Sequence, residues 1–180
     1  RRQHMCTSNL EYLQTKDGPL NKRDGKLVNN SFLGDVLLSA KMDAEKIKEL
    51  YKGQNNIKNV TDPKHQETIC RALRYSFADL ADIIRGRDMW DKDKGSTDME
   101  KYFVPIFKEI REQLPEKEQK KYSNDGAYLD LRRDWWEANR HQVWRAMKCA
   151  IEKDNITKCN GIPIEDYIPQ RLRWMTEWAE

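Results

Sequence analysis

Apolar side chains recur every three or four positions along most of this chain, which is the spacing of an amphipathic helix. The pattern predicts a first helix over 31–52, after a polar stretch over 14–30 that is typical of a loop. A second helix is predicted to begin at Asp62 and Pro63, which supply an N-cap acceptor and a first-turn proline, and to end near Arg85. No strand-like alternation interrupts the series.

A third helix is predicted from a capping box, because Thr97 and Glu100 have the T-x-x-E spacing. Pro115 is expected to end this helix. The residues 115–125 that follow are almost all charged or polar, so they are expected to form a connector.

The most informative stretch is Leu131 to Cys149, LRRDWWEANRHQVWRAMKC, which contains three tryptophans and neither glycine nor proline. It predicts a long helix over 126–153. A helix with aromatic residues on several sides must be surrounded by other helices. A last helix is expected from near Tyr167. The pattern as a whole therefore predicts an all-α bundle of about five helices.

The 180 residues suit a single domain, and 33 basic against 30 acidic side chains leave a net charge of only +3. No segment is basic enough for a dedicated nucleic-acid arm, so nucleic acid is not an expected partner. No apolar run approaches the 18 residues of a membrane span. Both ends are expected to be cut from a longer chain, since neither carries the signals of a natural terminus.

Four cysteines lie far apart, and the spacing is compatible with two disulfides or with four free thiols. A zinc site would need short ligand spacings, which are absent. His141 and Cys149 are eight residues apart on one predicted helix, about 12 Å and too far for a catalytic pair. Neither a phosphate loop nor a hydrolase motif occurs. We therefore expect neither an enzyme nor a cofactor or metal.

Asp79 and Asp82 lie three residues apart on the second predicted helix and could form an acid–base pair. Ion pairing with arginine is the better interpretation, because arginines are frequent on this helix and on the tryptophan-rich helix. The predicted partners come from the following set: Arg74, Arg85, Arg132, Arg133, Arg140 and Arg145.

Three blocks of this sequence resemble a known family: SFADLADIIRGRDMW over 76–90, the tryptophan-rich block over 131–149, and DYIPQRLRWMTEWAE over 166–180. They are similar to Duffy-binding-like domains, above all those of the Plasmodium falciparum erythrocyte membrane protein 1 family of variant adhesins. The resemblance covers the whole chain. It implies the middle, helical one of three subdomains: a single fragment over 1–180, with an N-terminal segment over 1–30 and the bundle over 31–180.

The resemblance also implies a function. Such a domain is a cytoadhesion module, exposed on the extracellular face of the infected erythrocyte membrane and bound by host antibodies. Its implied partners are a host cell-surface receptor such as an intercellular adhesion molecule, a sulfated glycosaminoglycan, or immunoglobulin M. The alternative is an architectural subdomain that packs against neighbouring domains of the same ectodomain without touching a host ligand.

Residue roles follow from the resemblance as well. It implies an oxidising location, a disulfide between Cys70 and Cys159, and a second one between Cys6 and Cys149. It assigns five aromatic residues of these blocks to the structural core, and these are Phe77, Trp135, Trp136, Trp144 and Trp174. The resemblance does not place a glycan site; for an anionic glycan we expect exposed basic residues to bind, and these are Lys92, Lys94, Lys117, Lys120 and Lys121.

Overall fold

The computed structural model describes residues 25–89, 94–122, 126–154 and 156–179. Six α-helices contain most of them: α1 Gly25–Gln54, α2 Pro63–Ile84, α3 Lys94–Glu112, α4 Glu116–Lys121, α5 Leu129–Cys149 and α6 Gln170–Ala179. Two short 3-10 helices, Glu152–Asp154 and Glu165–Tyr167, lie between α5 and α6. These ranges contain no β-strand, so the prediction of an all-α bundle is confirmed.

The tryptophan-rich helix α5 is the centre of the bundle, in contact with α1, α2 and α3. Trp136 and Trp144 are fully buried and both pack against the ring of Phe77, with ring centroids 5.1 and 5.6 Å away. Each indole N–H has an acceptor: Trp136 donates to Asp166 and Trp144 to the carbonyl of Gly161. The core therefore holds two large aromatic side chains with both of their indole donors paired.

A second aromatic group joins α1, α3 and α5. Trp135 is partly buried and packs on the core, with its ring centroid 4.9 Å from that of Phe32 and 6.0 Å from that of Phe107. Trp174 is different: it is half-buried on α6 and lies outside the core cluster, so its assignment to the core is wrong. The reason is that α6 buries polar side chains, Gln170 and Arg173, against the bundle.

The first helix begins earlier than predicted. It starts at Gly25, within the stretch 14–30 that was expected to be a loop; residues 14–24 lie outside the described part. Asn29 and Asn30 lie inside this helix, and asparagine costs only a fraction of a kcal/mol in a helix interior, about 0.7 at most. The apolar stripe that continues from Phe32 stabilises the helix.

The predicted capping box is also wrong, because α3 begins at Lys94 and not at Thr97. The Glu100 carboxylate is bound instead by the guanidinium of Arg132 on α5. The expected connector over 115–125 contains the short helix α4. Acidic residues in its first turn and lysines in its last turn complement the helix dipole, a pattern that favours a helix in an otherwise polar segment.

Helix α2 has the predicted ends. The Asp62 side chain accepts a hydrogen bond from the backbone N–H of Lys64, and Gly86 has a φ of +67° just beyond the last turn. Arg132 is fully buried and donates to the carbonyls of Ile83 and Ile84 at this end. A Cβ on Gly86 would lie 3.0 Å from the Arg132 guanidinium carbon. This position therefore favours glycine for two reasons, the positive φ and the lack of space for a side chain.

The disulfide between Cys70 and Cys159 is present, with the two Cα atoms 5.3 Å apart. It joins α2 to the segment that precedes α6, across a sequence separation of 89 residues. Cys149 is exposed and forms no disulfide with a described residue. Because Cys6 lies outside the described residues, the Cys6–Cys149 pairing stays a prediction.

A partly buried ion pair joins α1 to the end of α5. The Lys48 ammonium donates to Asp154 Oδ2 at 2.7 Å and to the Ala150 carbonyl at 3.0 Å, and Lys52 lies 3.4 Å from the same carboxylate. Burial by itself would raise the pKa of Asp154, but Lys48 and then Lys52 outweigh it, so the pKa of Asp154 lies below its usual range.

This pair predicts a pH dependence of stability. The folded pKa of Asp154 is lower than its unfolded value of about 3.9, so its stabilisation is complete above that pH and is lost as the pH falls through the folded pKa. Asp154→Asn is expected to cost about 1–2 kcal/mol of unfolding free energy near pH 7, and the difference from wild type should vanish in acid. Urea unfolding across pH checks this.

The matched control for Asp154→Asn is Glu45→Gln, which removes an exposed pair with Lys41 and should change stability little at any pH. A stability difference between Asp154→Asn and wild type that stayed constant from neutral pH into acid would contradict the role of this carboxylate.

Candidate functional site

The segment that leads into α6 is fixed to the bundle by a buried carboxylate. Asp166 is almost completely buried, and its Oδ2 accepts hydrogen bonds from Trp136 Nε1 and Arg140 Nε, both at 2.9 Å. Arg140 Nη2 also donates to Asp166 Oδ1 at 2.7 Å, which makes the contact bidentate. The Asp166 backbone carbonyl accepts from Arg85 on α2. Side chains from α2 and α5 thus converge on one residue.

Helix α6 itself is attached by a buried arginine. Arg173 Nη2 lies 2.6 Å from Asp79 Oδ1 and 2.8 Å from Asp82 Oδ2, so one guanidinium binds both carboxylates of α2. Asp82 is paired again, at 3.2 Å, with Arg85. Gln170, one turn before Arg173, is buried beside Asp79. The side of α6 that faces the bundle is therefore polar and charged.

In this cluster, burial and ion pairing shift the pKa values in opposite directions. Burial raises the pKa of Asp82, and the neighbouring Arg173 and Arg85 only partly oppose it. Burial lowers the pKa of Arg85. For Arg173 burial also acts to lower the pKa, but Asp79 and Asp82 together outweigh it and raise the pKa. The cluster holds two carboxylates and two guanidiniums, so charge is balanced where water is excluded.

The ion pairs expected from sequence are partly present. Asp82 pairs with Arg85 as predicted, and Arg140 pairs with a carboxylate, that of Asp166. The main partner of Asp79 and Asp82, Arg173, was not predicted, because it lies about ninety residues further along the chain. The sequence gives one weak indication of this role. Arg173 follows Gln170 by three residues, so both lie on one side of α6, away from Leu172 and Met175.

The outward side of α6 carries three exposed apolar residues. Leu172, Met175 and Trp178 follow one another at three-residue spacing, and 53, 62 and 91% of these residues are exposed. On a helix with 3.6 residues per turn they form a stripe roughly opposite the buried pair Gln170 and Arg173. Along the preceding segment Ile164 is exposed too. This end of the bundle offers an apolar surface on a rigid frame.

The lysine cluster expected to bind an anionic glycan is only partly described. Lys92 and the side chain of Lys94 lie outside the described part. Lys117 and Lys120 are exposed on α4, and Lys121 is exposed as well, but its ammonium lies 2.6 Å from Asp134. The hydrogen bonds that the Lys121 ammonium donates to Asp134 and Tyr122 raise the pKa of Lys121. With Glu116 and Glu118 on the same short helix, the local charge is mixed.

Two negative findings concern the described residues alone. No group of three or more histidine, cysteine or carboxylate side chains lies close enough together to bind a metal ion in those ranges. Nor does any helix there combine the length and the apolarity needed to cross a membrane.

Comparison with known proteins decides the family. The model of the Duffy binding domain matches residues 1–173. This chain belongs to the Duffy binding domain family. Among curated members it is 26% identical over 120 residues to the Duffy receptor of Plasmodium vivax, a match that covers 64% of this chain and 10% of the receptor. The resemblance seen in the three sequence blocks is thereby confirmed.

Solved structures of Duffy-binding-like domains match almost the whole chain. The DBLβ domain of a PfEMP1 protein bound to human ICAM-1 is 48% identical, with a TM-score of 0.81 over 99% of this chain and 39% of that one. The ICAM-1-binding DBLβ domain of another PfEMP1 variant is 49% identical, also with a TM-score of 0.81, over 99% of this chain and 41% of that one. PfEMP1 is a Plasmodium falciparum membrane protein. This chain thus spans about two fifths of each of these domains.

Proposed function

We propose that this chain is the helical frame of a cytoadhesion domain, and that the complete domain binds a host cell-surface receptor, with ICAM-1 as the first candidate. The single observation that carries the proposal is the 48–49% identity, over 99% of this chain, with two DBLβ domains, one bound to ICAM-1 and one that binds it. In this proposal the domain is displayed on the extracellular face of the infected erythrocyte, where host antibodies also reach it.

The architecture supports a binding role. The buried polar groups that sequence reasoning singled out, Asp79 and Asp82, are occupied by Arg173 and Arg85 and are not open to a substrate. A core closed by a disulfide and by buried arginines keeps its shape while exposed residues change, which is what a variable adhesin requires. The receptor-binding site is therefore expected among the exposed residues.

The test is a binding measurement on the complete domain that contains this chain. Immobilised human ICAM-1, heparan sulfate, chondroitin sulfate and immunoglobulin M are each titrated with the purified domain by surface plasmon resonance. We expect saturable binding to ICAM-1 and to none of the others. A correctly folded domain that bound none of them, or bound only a glycan or immunoglobulin M, would contradict the proposal.

A charge-reversal pair separates protein binding from glycan binding. Lys117→Glu with Lys120→Glu changes two exposed lysines on α4 and should leave ICAM-1 binding within about twofold, since surface charges away from an interface contribute little. If the lysine cluster binds a sulfated glycan instead, the same variant loses that binding. Circular dichroism of both proteins establishes that the comparison is between folded domains.

A further inference from the structure

The turn that follows the disulfide contains an asparagine directly before a glycine. Asn160 and Gly161 are both exposed and lie outside the helices, and Gly161 has a φ of +76°. A Cβ at Gly161 would have no atom within 4 Å, so the space around this peptide unit is open. No other asparagine in the chain is followed by glycine.

This pair of residues is set up for an intramolecular reaction. The backbone nitrogen that follows an asparagine can attack the side-chain Cγ and close a succinimide ring. Glycine hinders that closure least, because it has no Cβ and the widest choice of backbone angles. The reaction also needs a carboxamide and an N–H that are not held elsewhere. Among the described residues, nothing is hydrogen-bonded to the Asn160 side chain or to the Gly161 N–H.

The exposed pair Asn55 and Asn56 provides a contrast within the same chain. The Asn55 side-chain Nδ2 donates to the Tyr51 carbonyl at 2.9 Å, which holds the carboxamide against the end of α1. The Asn56 N–H, which would be the attacking group, donates to the Gly53 carbonyl at 3.4 Å. Exposure alone therefore does not make an asparagine reactive, since these two bonds must break before the ring can close.

We propose that Asn160 is a site of spontaneous deamidation, and that the isoaspartate it forms loosens the contact of this turn with α5. The Gly161 nitrogen loses its proton and bonds to Asn160 Cγ, the bond from Cγ to the side-chain nitrogen breaks, and ammonia leaves. Water then opens the succinimide. Attack at Cγ gives aspartate, and attack at the backbone carbonyl gives isoaspartate, so the net reaction consumes one water and releases one ammonia.

The structure indicates what isoaspartate would disturb. The turn is anchored on both sides of Asn160: Cys159 is buried and bonded to Cys70, and the Gly161 carbonyl accepts the hydrogen bond of Trp144 Nε1 at 2.6 Å. Isoaspartate adds one carbon to the backbone between these two anchors. The weaker anchor, the hydrogen bond to Trp144, is the one expected to yield. This inference does not depend on which host receptor the domain binds.

Peptide mapping of the complete domain tests the first half of the proposal. The folded domain and a sample in urea are aged in mildly alkaline buffer, then reduced and digested with trypsin. The peptide 159–171 contains Asn160 as its only asparagine, and the peptide 53–58 contains Asn55 and Asn56. The change from amide to carboxyl is followed by mass spectrometry against unaged protein, and Asn160→Gln should abolish it in peptide 159–171.

The comparison with urea separates the fold from the sequence. The rate at Asn160 divided by the rate at Asn55 should be at least about tenfold larger in the folded domain than in urea, because folding restrains only Asn55. Equal ratios in the two samples, or an Asn160 that stays unmodified in the folded domain, would overturn the proposal.

Hydrogen exchange tests the second half. Aged domain containing isoaspartate is compared with Asn160→Asp, which carries the same added charge on a normal backbone. Backbone amides over 162–168 should exchange about fivefold faster in the isoaspartate form, the effect of losing one hydrogen bond. Asn160→Asp should exchange like wild type. Equal exchange in the isoaspartate form and in Asn160→Asp would contradict the predicted loosening of this turn.

Discussion

Replacing Cys70 and Cys159 together by alanine is expected to lower the free energy of unfolding by about 4 kcal/mol. The disulfide closes a loop with a sequence separation of 89 residues, and a cross-link over such a loop removes much of the conformational entropy of the unfolded chain. Urea unfolding of the double variant, compared with wild type in the absence of reductant, gives the difference.

Reduced wild-type protein is the matched control for the disulfide, since it has the same open loop with the original side chains. It should unfold at nearly the same urea concentration as the double variant. A double variant within about 1 kcal/mol of oxidised wild type would contradict the assigned role of the Cys70–Cys159 bond.

Replacing Arg173 by methionine is expected to cost about 3–5 kcal/mol, the range found when one partner of a buried ion pair is removed. Methionine keeps much of the length of the side chain but leaves Asp79 and Asp82 in a buried site without the guanidinium that both contact. Arg85 still pairs with Asp82, so Asp79 is the carboxylate left without a close guanidinium in the network described above. Chemical unfolding measures the cost.

Arg171→Met is the control for Arg173→Met, because Arg171 lies on the same helix two positions away and is exposed. It should change the free energy of unfolding by no more than about 0.5 kcal/mol. Equal stability of the two variants would mean that Arg173 is not bound between the carboxylates of α2.

Sequence reasoning predicted the helices well where local signals act. The start of α2 follows from Asp62, whose capping hydrogen bond is with a residue two positions away, and the end follows from Gly86, whose φ is positive. It failed at α3, where Glu100 had the spacing of a capping box. A capping glutamate is a local contact, whereas Arg132, thirty-two residues away, provides a stronger bidentate partner that only the folded chain brings near.

The same limit applies to the candidate site. The sequence indicated that Asp79 and Asp82 would pair with arginine, because carboxylates on a buried helix face require a cation. It did not indicate Arg173, since α6 shows apolar residues that suggest a core-facing side. The folded chain buries the other side, and Trp174 is half-buried as a result. On a helix that buries polar residues and exposes apolar ones, the apolar pattern does not reveal which side faces the core.

The family assignment came from longer blocks and not from single residues. The stretch around Trp135, Trp136 and Trp144 is distinctive because it forms the packed centre of the bundle, where α1, α2 and α3 all meet α5. The lysines proposed to bind a glycan carried no such constraint. Few neighbours constrain the identity of an exposed lysine, so its role cannot be predicted from one sequence.

The account depends on α6 being held to the bundle by the buried ion pairs of Arg173 with Asp79 and Asp82. A double-mutant cycle between Arg173→Met and Asp79→Asn measures that contact most directly. We expect the two changes to be coupled by about 2–3 kcal/mol, because Arg173→Met leaves the Asp79 carboxylate without its guanidinium and the double variant removes that carboxylate charge. Effects that add within about 0.5 kcal/mol would show that the two side chains do not interact and would contradict the account.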